Sequence, residues 1–211
     1  MEIGIFTFGE LTVDPATGRS IDPAVRMREF IDLVKLADEA GLDVLGVGEH
    51  HRPDFAIASP AVVLAAVSQA TSRIRLTSTV TVLSTADPVR VFEDFTALDL
   101  VSNGRGAYTE SFPLLGNDLN DYDELFEEKL GLLLQLNSSE RVTWSGKHRP
   151  ALSNAGVYPR PVQAQLPVWI AVGGTPSSVE RAGRLGLPLY LAILGHPERF
   201  VDPRRSLSPR W

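Results

Sequence analysis

Along this chain the apolar positions switch repeatedly between short continuous runs and three- and four-residue spacings. Residues 1–8 read as a buried strand, and Asp22 then stands where its side chain can cap a helix whose first residue is Pro23. In that helix Val25, Phe30, Leu33, Val34, Leu36, Ala37 and Ala40 make one apolar face, Arg26, Arg28, Asp32, Lys35 and Asp38 make the polar one, and Gly41 ends it. The cycle repeats with a strand over 43–49, a helix capped by Ser59 with Pro60 first, a strand over 74–83, and a helix from Pro88 to Ser102 capped by Asp87. Further on, the pattern predicts a helix over 121–136, a short hairpin over 142–152 and a proline-rich connector over 158–166. A strand over 167–172, a helix over 176–186 and a strand over 187–194 follow.

Strands alternating with helices predict an α/β fold with a parallel sheet. Five strands stand out, and the rhythm asks for another between 103 and 121, where Gly104, Gly106, Pro113 and Gly116 leave no continuous run for one. Five to six βα units fit either an incomplete (β/α)8 TIM-barrel type or an open doubly wound sheet. The 211 residues are fewer than the about 250 typical of a closed barrel. Residues 1–200 are expected to form the barrel domain, and 201–211, aperiodic and rich in Pro, Arg and Ser, an irregular tail.

With 44% hydrophobic residues there is material for a sizeable core. The net charge of −6 and the lack of a Lys/Arg run argue against nucleic acid. No cysteine is present, so disulfides and thiolate zinc sites are excluded, which fits a reducing compartment. The N-terminus, MEIGIFTFGE, has Glu2 where a signal peptide would be basic and only a few apolar residues, so it reads as neither a signal peptide nor a membrane span, and a cytoplasmic location is expected.

Candidate chemistry gathers where strands end, the functional face of a parallel sheet. Glu49-His50-His51 ends the second strand. In an extended strand the two imidazoles point opposite ways, and His148 and His196 lack ligand spacing, so no metal is expected. A hydrogen-bonded structural pair, acid/base work and cofactor contact stay open. In AVGGTPSSVERA, 171–182, two glycines precede a helix with Pro176 in its first turn, which suits an anion, most plausibly phosphate, or an ordinary turn with Thr175 as N-cap. GVGEHH, 46–51, is no dinucleotide fingerprint, because His51 replaces the third glycine. Thr77, Thr79 and Thr81 share one strand face and Ser78, Val80 and Val82 the other, so one side offers hydroxyls to a polar planar ligand. β propensity alone also explains threonines there.

EHH at the second strand end, TVTVLSTADPVRVFEDFTALDLVSNGR, the YPRPVQ connector and LPVWIAVGGTPSSVERAGRLGLPL together resemble the bacterial luciferase-like monooxygenase family, in order from Met1 to about Phe200. The resemblance implies a (β/α)8 barrel that lacks its fourth strand and last two units here, because SNGR runs straight into GAYTESF. It implies His50 as acid/base near the flavin and His51 in the same pocket as the catalytic residues. Glu49, Thr79, Val80 and Arg105 are then expected at the cofactor, with Thr79 and Val80, joined by a cis peptide in some members, against the isoalloxazine ring. Gly173, Gly174, Thr175 and Ser177 would receive the flavin phosphate. The implied reaction uses O2 and reduced FMN from a separate flavin reductase to oxidise a small organic molecule such as an aldehyde or sulfonate. A homodimer is implied, and the alternatives are a non-catalytic flavin-binding protein or a deazaflavin-dependent dehydrogenase.

Overall fold

In the computed structural model the described residues are 2–83, 86–110, 122–172 and 176–191. Six strands form one parallel sheet in the order β1-β2-β3-β4-β7-β8: β1 (Gly4–Thr7), β2 (Val44–Val47), β3 (Arg75–Thr81), β4 (Gly106–Glu110), β7 (Val168–Val172) and β8 (Leu189–Leu191). The helices are α1 (Pro23–Glu39), α2 (Pro60–Ser68), α3 (Pro88–Ser102), α4 (Tyr122–Ser138) and α5 (Pro176–Leu185). An antiparallel hairpin, β5 (Arg141–Trp144) with β6 (Leu152–Gly156), lies between α4 and β7.

The helix starts follow from local chemistry. Asp22 accepts the N–H of Val25 at 3.0 Å, and Asp87 accepts those of Val89 and Arg90, each with proline at the first helical position. Ser59 precedes Pro60 but makes no side-chain cap, unlike the expectation. Asn103 ends α3 in the left-handed conformation at φ 58°, which an Asn tolerates.

Strand alternation sorts the two sheet faces. Leu45, Val47, Leu76, Tyr108, Val168 and Ile170 are buried in the core with Phe30 and Val34 of α1, Leu64 and Val67 of α2, and Phe92 and Phe95 of α3. The opposite face is concave: Gly4 of β1, Gly46, Thr77, Thr79, Trp169 and Tyr190 of β8 line one cavity of about 240 Å³. Both edge strands reach this cavity, so the sheet curls into a half-barrel, the partial barrel expected from the sequence and not the open doubly wound sheet.

The fourth strand differs from the expectation. Gly106–Glu110 forms β4, paired in parallel with β3 on one side and β7 on the other. Gly106 reads as a breaker in the sequence, yet it serves close approach here: a Cβ would stand 3.0 Å from both Cα and N of Asp99 on α3. The expected tail, 201–211, lies outside the described residues.

Candidate active site at the strand C-termini

The loops that leave β1 and β2 are zipped together by the backbone bonds Leu11 N–H to Asp54 O and Ala56 N–H to Gly9 O, both 2.8 Å, and the second loop closes on itself through His50 N–H to Ile57 O, 3.0 Å. Gly9 takes φ 68° and a Cβ there would press to 2.7 Å on Ile57, so glycine is what lets the loops meet. The zipper fixes three rings. His50 packs against Phe8, with centroids 4.5 Å apart, and Phe55, at 4.4 Å, and the two phenylalanine rings meet edge-on at 6.1 Å. Phe6 sits edge-on to Phe8 at 5.7 Å.

Two glycines of the second strand region set the depth of this cluster. A Cβ on Gly48 would fall 2.1 Å from the Phe8 ring and 3.0 Å from the Thr79 carbonyl oxygen, and one on Gly46 would fall 2.4 Å from the Thr79 methyl. Phe8 and Thr79 therefore rest directly on bare backbone. The Thr79–Val80 peptide is cis. Among the described residues His50 Nδ1 and Thr79 Oγ1 are buried with no hydrogen-bond partner, a rare condition for native polar atoms.

Glu49 is engaged twice. Its Oε1 lies 2.8 Å from His51 Nε2, and its Oε2 accepts the backbone N–H of Val82 at 3.3 Å, tying the end of β2 to the segment that follows β3. The two histidines thus part company, His50 into the aromatic stack and His51 onto a carboxylate. Among the described residues no three His, Asp or Glu side chains converge as a metal site would require.

The threonine row holds only in part. Thr77 and Thr79 line the concave cavity, but Thr81 donates its hydroxyl to Ser78 Oγ at 2.8 Å, across the faces the alternation assigned them. The pairing of β3 with β4 shifts register between Thr79 and Thr81, and that irregularity turns Thr81 away from its expected side. Val80, half-buried, follows Thr79 at the same strand end.

Arg105 is placed apart from this site, before the N-terminal end of β4. All five of its guanidinium bonds are internal: Nε to Ser102 O, one terminal nitrogen to Thr71 Oγ1 and Ile74 O, the other to Ser68 O and Thr71 O, at 2.9–3.2 Å. Here it stitches the ends of α2 and α3 to the start of β3, and the geometry does not bring it to the cofactor position expected for it. Gly173, Gly174 and Thr175 lie outside the described residues, and Ser177 falls in the first turn of α5, directly after β7 ends. The rings of Phe8 and Phe55 were not among the expected site residues. Their only sequence signal was an aromatic at the close of the first apolar run and another four residues beyond His51.

The chain belongs to the luciferase-like monooxygenase family, whose model matches residues 1–207. It is 29% identical over 177 residues to the alkanal monooxygenase alpha chain of Photorhabdus luminescens, covering 79% of this chain and 48% of that one. It is 30% identical over 178 residues to the F420-dependent glucose-6-phosphate dehydrogenase of Amycolatopsis mediterranei, covering 75% and 51%. The chain thus spans about half the length of these curated relatives. In fold it matches the crystal structure of monooxygenase RslO1 from Streptomyces bottropensis with a TM-score of 0.82 at 23% identity, over 100% of this chain and 68% of that one. It also matches the oxygenating constituent of 3,6-diketocamphane monooxygenase from Pseudomonas putida, solved in complex with FMN, with a TM-score of 0.76 at 16% identity, over 99% and 63%. Monooxygenases and F420-dependent dehydrogenases both occur among its relatives. No helix among the described residues is long and apolar enough to cross a membrane.

Proposed function

We propose that the chain is an FMN-dependent monooxygenase that oxidises a small organic substrate with O2 and reduced flavin delivered by a separate reductase. The observation that carries this reading is the pair of partnerless buried atoms, His50 Nδ1 and Thr79 Oγ1, beside bare glycine backbone and an aromatic stack at the sheet's C-terminal end. A flat ring with donors and acceptors on its rim fits such a wall, because it satisfies polar atoms that the protein leaves open. Bound reduced flavin supplies the electrons with which O2 is activated.

The residues of this chain do the rest. Thr79 and Val80 would lie against a bound flavin ring, and Gly173, Gly174, Thr175 and Ser177, the segment leading into α5, would receive its phosphate. Phe8 and Phe55 hold His50, which takes up or gives back a proton at Nε2, while Phe6, Phe8 and Phe55 exclude water. Similarity to the F420-dependent dehydrogenase supports a deazaflavin as the second reading. A homodimer through α2 fits its uncharged sequence, PAVVLAAVS, which leaves Val62 68% exposed.

Anaerobic titration of the purified chain with reduced FMN, oxidised FMN and reduced F420 tests the reading, with sedimentation reporting the oligomer. Saturable FMN binding that weakens on Gly174→Asp is expected, followed by O2-dependent turnover that His50→Ala abolishes without changing FMN affinity. Preference for F420 would favour the dehydrogenase, and FMN binding without turnover a non-catalytic flavoprotein. A folded chain that binds neither cofactor overturns the proposal.

A further inference from the structure

We propose that the groove between α4 and α5 is a second binding site, for a small molecule made of a hydrocarbon chain ending in a carboxylate. The groove encloses a cavity of about 330 Å³, at the lower end of the range of small-molecule sites. Phe126 and Leu130 of α4 and Val179 of α5 anchor the two helices in the core, so the groove belongs to the helical layer and the candidate active site to the other face of the sheet. Two stripes of side chains make its walls. Glu127, Leu130, Gly131 and Leu134 follow at three- and four-residue spacing on α4, and Arg181, Arg184 and Leu185 do so on α5. Along α4 the stripe passes from charge to hydrocarbon, with Leu134 about two turns beyond Glu127. Both arginines meet Glu127, Arg184 through a terminal nitrogen at 3.0 Å and Arg181 through Nε at 3.5 Å, so the charges gather at one end.

The charge of the walls selects an anion. Among the side chains that line the groove two guanidiniums share one carboxylate, which leaves one positive charge in excess on a chain whose net charge is −6. The side chain of Arg181 is only 7% exposed, and its guanidinium lies over the Phe126 ring at 4.6 Å from the centroid, so packing holds it in place. Arg184 is the adjustable partner. Its side chain is 68% exposed, an exposed ion pair is weak, and turning from Glu127 to an arriving carboxylate exchanges one such contact for another. The tail then lies along Leu130, Leu134 and Leu185, of which Leu185 is exposed without it. Gly131 keeps that part of the groove open. Glycine is unfavourable inside a helix, yet a Cβ there would meet nothing within 4 Å, so no crowding within the described residues accounts for its being bare.

Isothermal titration of the full chain with octanoate, octanol and octylamine tests the site. Octanoate should bind saturably and about tenfold tighter than octanol, the difference that a hydrogen bond to a charged group makes, and octylamine should not bind. Arg184→Glu should weaken octanoate by about tenfold or more. Gly131→Leu puts a better helix former into the groove and should abolish octanoate binding without lowering Tm. Equal affinity for the three probes overturns the proposal, as does octanoate binding that survives Gly131→Leu or a folded wild type that binds no octanoate. Binding to phosphatidylglycerol vesicles without binding to free octanoate overturns it in favour of a membrane surface. If Gly131→Leu fails to fold, Arg184→Glu, a change at an exposed side chain, still decides. The titration needs no flavin, so failure to bind flavin would strike the proposed function and not this site.

Discussion

Asp38 on α1 accepts the backbone N–H of Ile74, at the entrance to β3, at 2.6 Å. The same carboxylate takes the N–H groups of Ser72 and Arg73 and the Ser72 hydroxyl at 2.8–3.1 Å, so one side chain closes the turn between α2 and β3 from 34 residues away. Burial alone would raise its pKa, but the donors of Ser72, Ile74 and Arg73 outweigh it and hold the carboxyl below the ordinary aspartate value. A depressed folded-state pKa contributes stability that is fully present above the unfolded value and is lost as pH falls through the folded one. The wild type should therefore lose stability as pH falls below about 4. Asp38→Asn should cost about 2–3 kcal/mol at pH 7 and flatten that acid dependence, as read by urea midpoints from pH 3 to 7.

Arg105 offers a clean separation of two roles. Its planar fork reaches five acceptors at once, a geometry that a lysine ammonium cannot reproduce. Arg105→Lys should lower stability by about 2–4 kcal/mol and, under the proposed function, leave the flavin affinity of the folded chain within twofold. A selective loss of flavin affinity at unchanged Tm would restore the cofactor role that the resemblance implied.

Gly46 faces the Thr79 side chain, and an added Cβ would stand 2.4 Å from its methyl and 2.6 Å from its hydroxyl. Threonine branches at Cβ and cannot swing its end aside without moving its own strand. Gly46→Ala should cost about 1–3 kcal/mol, lowering Tm by several degrees. Under the proposed function it should also weaken FMN binding by displacing Thr79, whereas Gly18→Ala, with nothing within 4 Å, should leave FMN binding unchanged.

Helix starts were the most legible part of the sequence, because Asp22-Pro23 and Asp87-Pro88 encode capping within a few residues and need no tertiary context. Glu49-His50-His51 was legible as a cluster but not as an arrangement. His50 packs on the ring of Phe8, brought from 42 positions earlier by loop pairing that no local pattern announces, while His51 bonds to Glu49. β4 was obscured for a similar reason: Gly106 reads as a breaker unless one knows that Asp99 of α3 presses against it. The partners of Arg105 were not legible, since its five acceptors come from α2, the turn after it and the end of α3, which no local pattern brings together.

Asp99 and Gln163 make the last case, in which a conservative change should be worse than a deletion. Asp99 is fully buried, and Gln163 donates to it twice, from its backbone N–H at 3.0 Å and from Nε2 at 2.6 Å, while Nε2 also reaches Gly106 O at 2.8 Å. These bonds dock the proline-rich connector against the first residue of β4, just before the chain enters β7. Gln163→Ala keeps the backbone bond and should cost about 1–3 kcal/mol. Gln163→Glu replaces a donor with an acceptor, sets two carboxylates together in a buried place and leaves the Gly106 carbonyl unpaired. It should cost about 3–5 kcal/mol at pH 7, and part of the loss should return at pH 5 as one of the pair takes up a proton. Urea unfolding of both variants at the two pH values checks this, and Gln163→Glu as stable as Gln163→Ala at pH 7 would refute the buried-acceptor account.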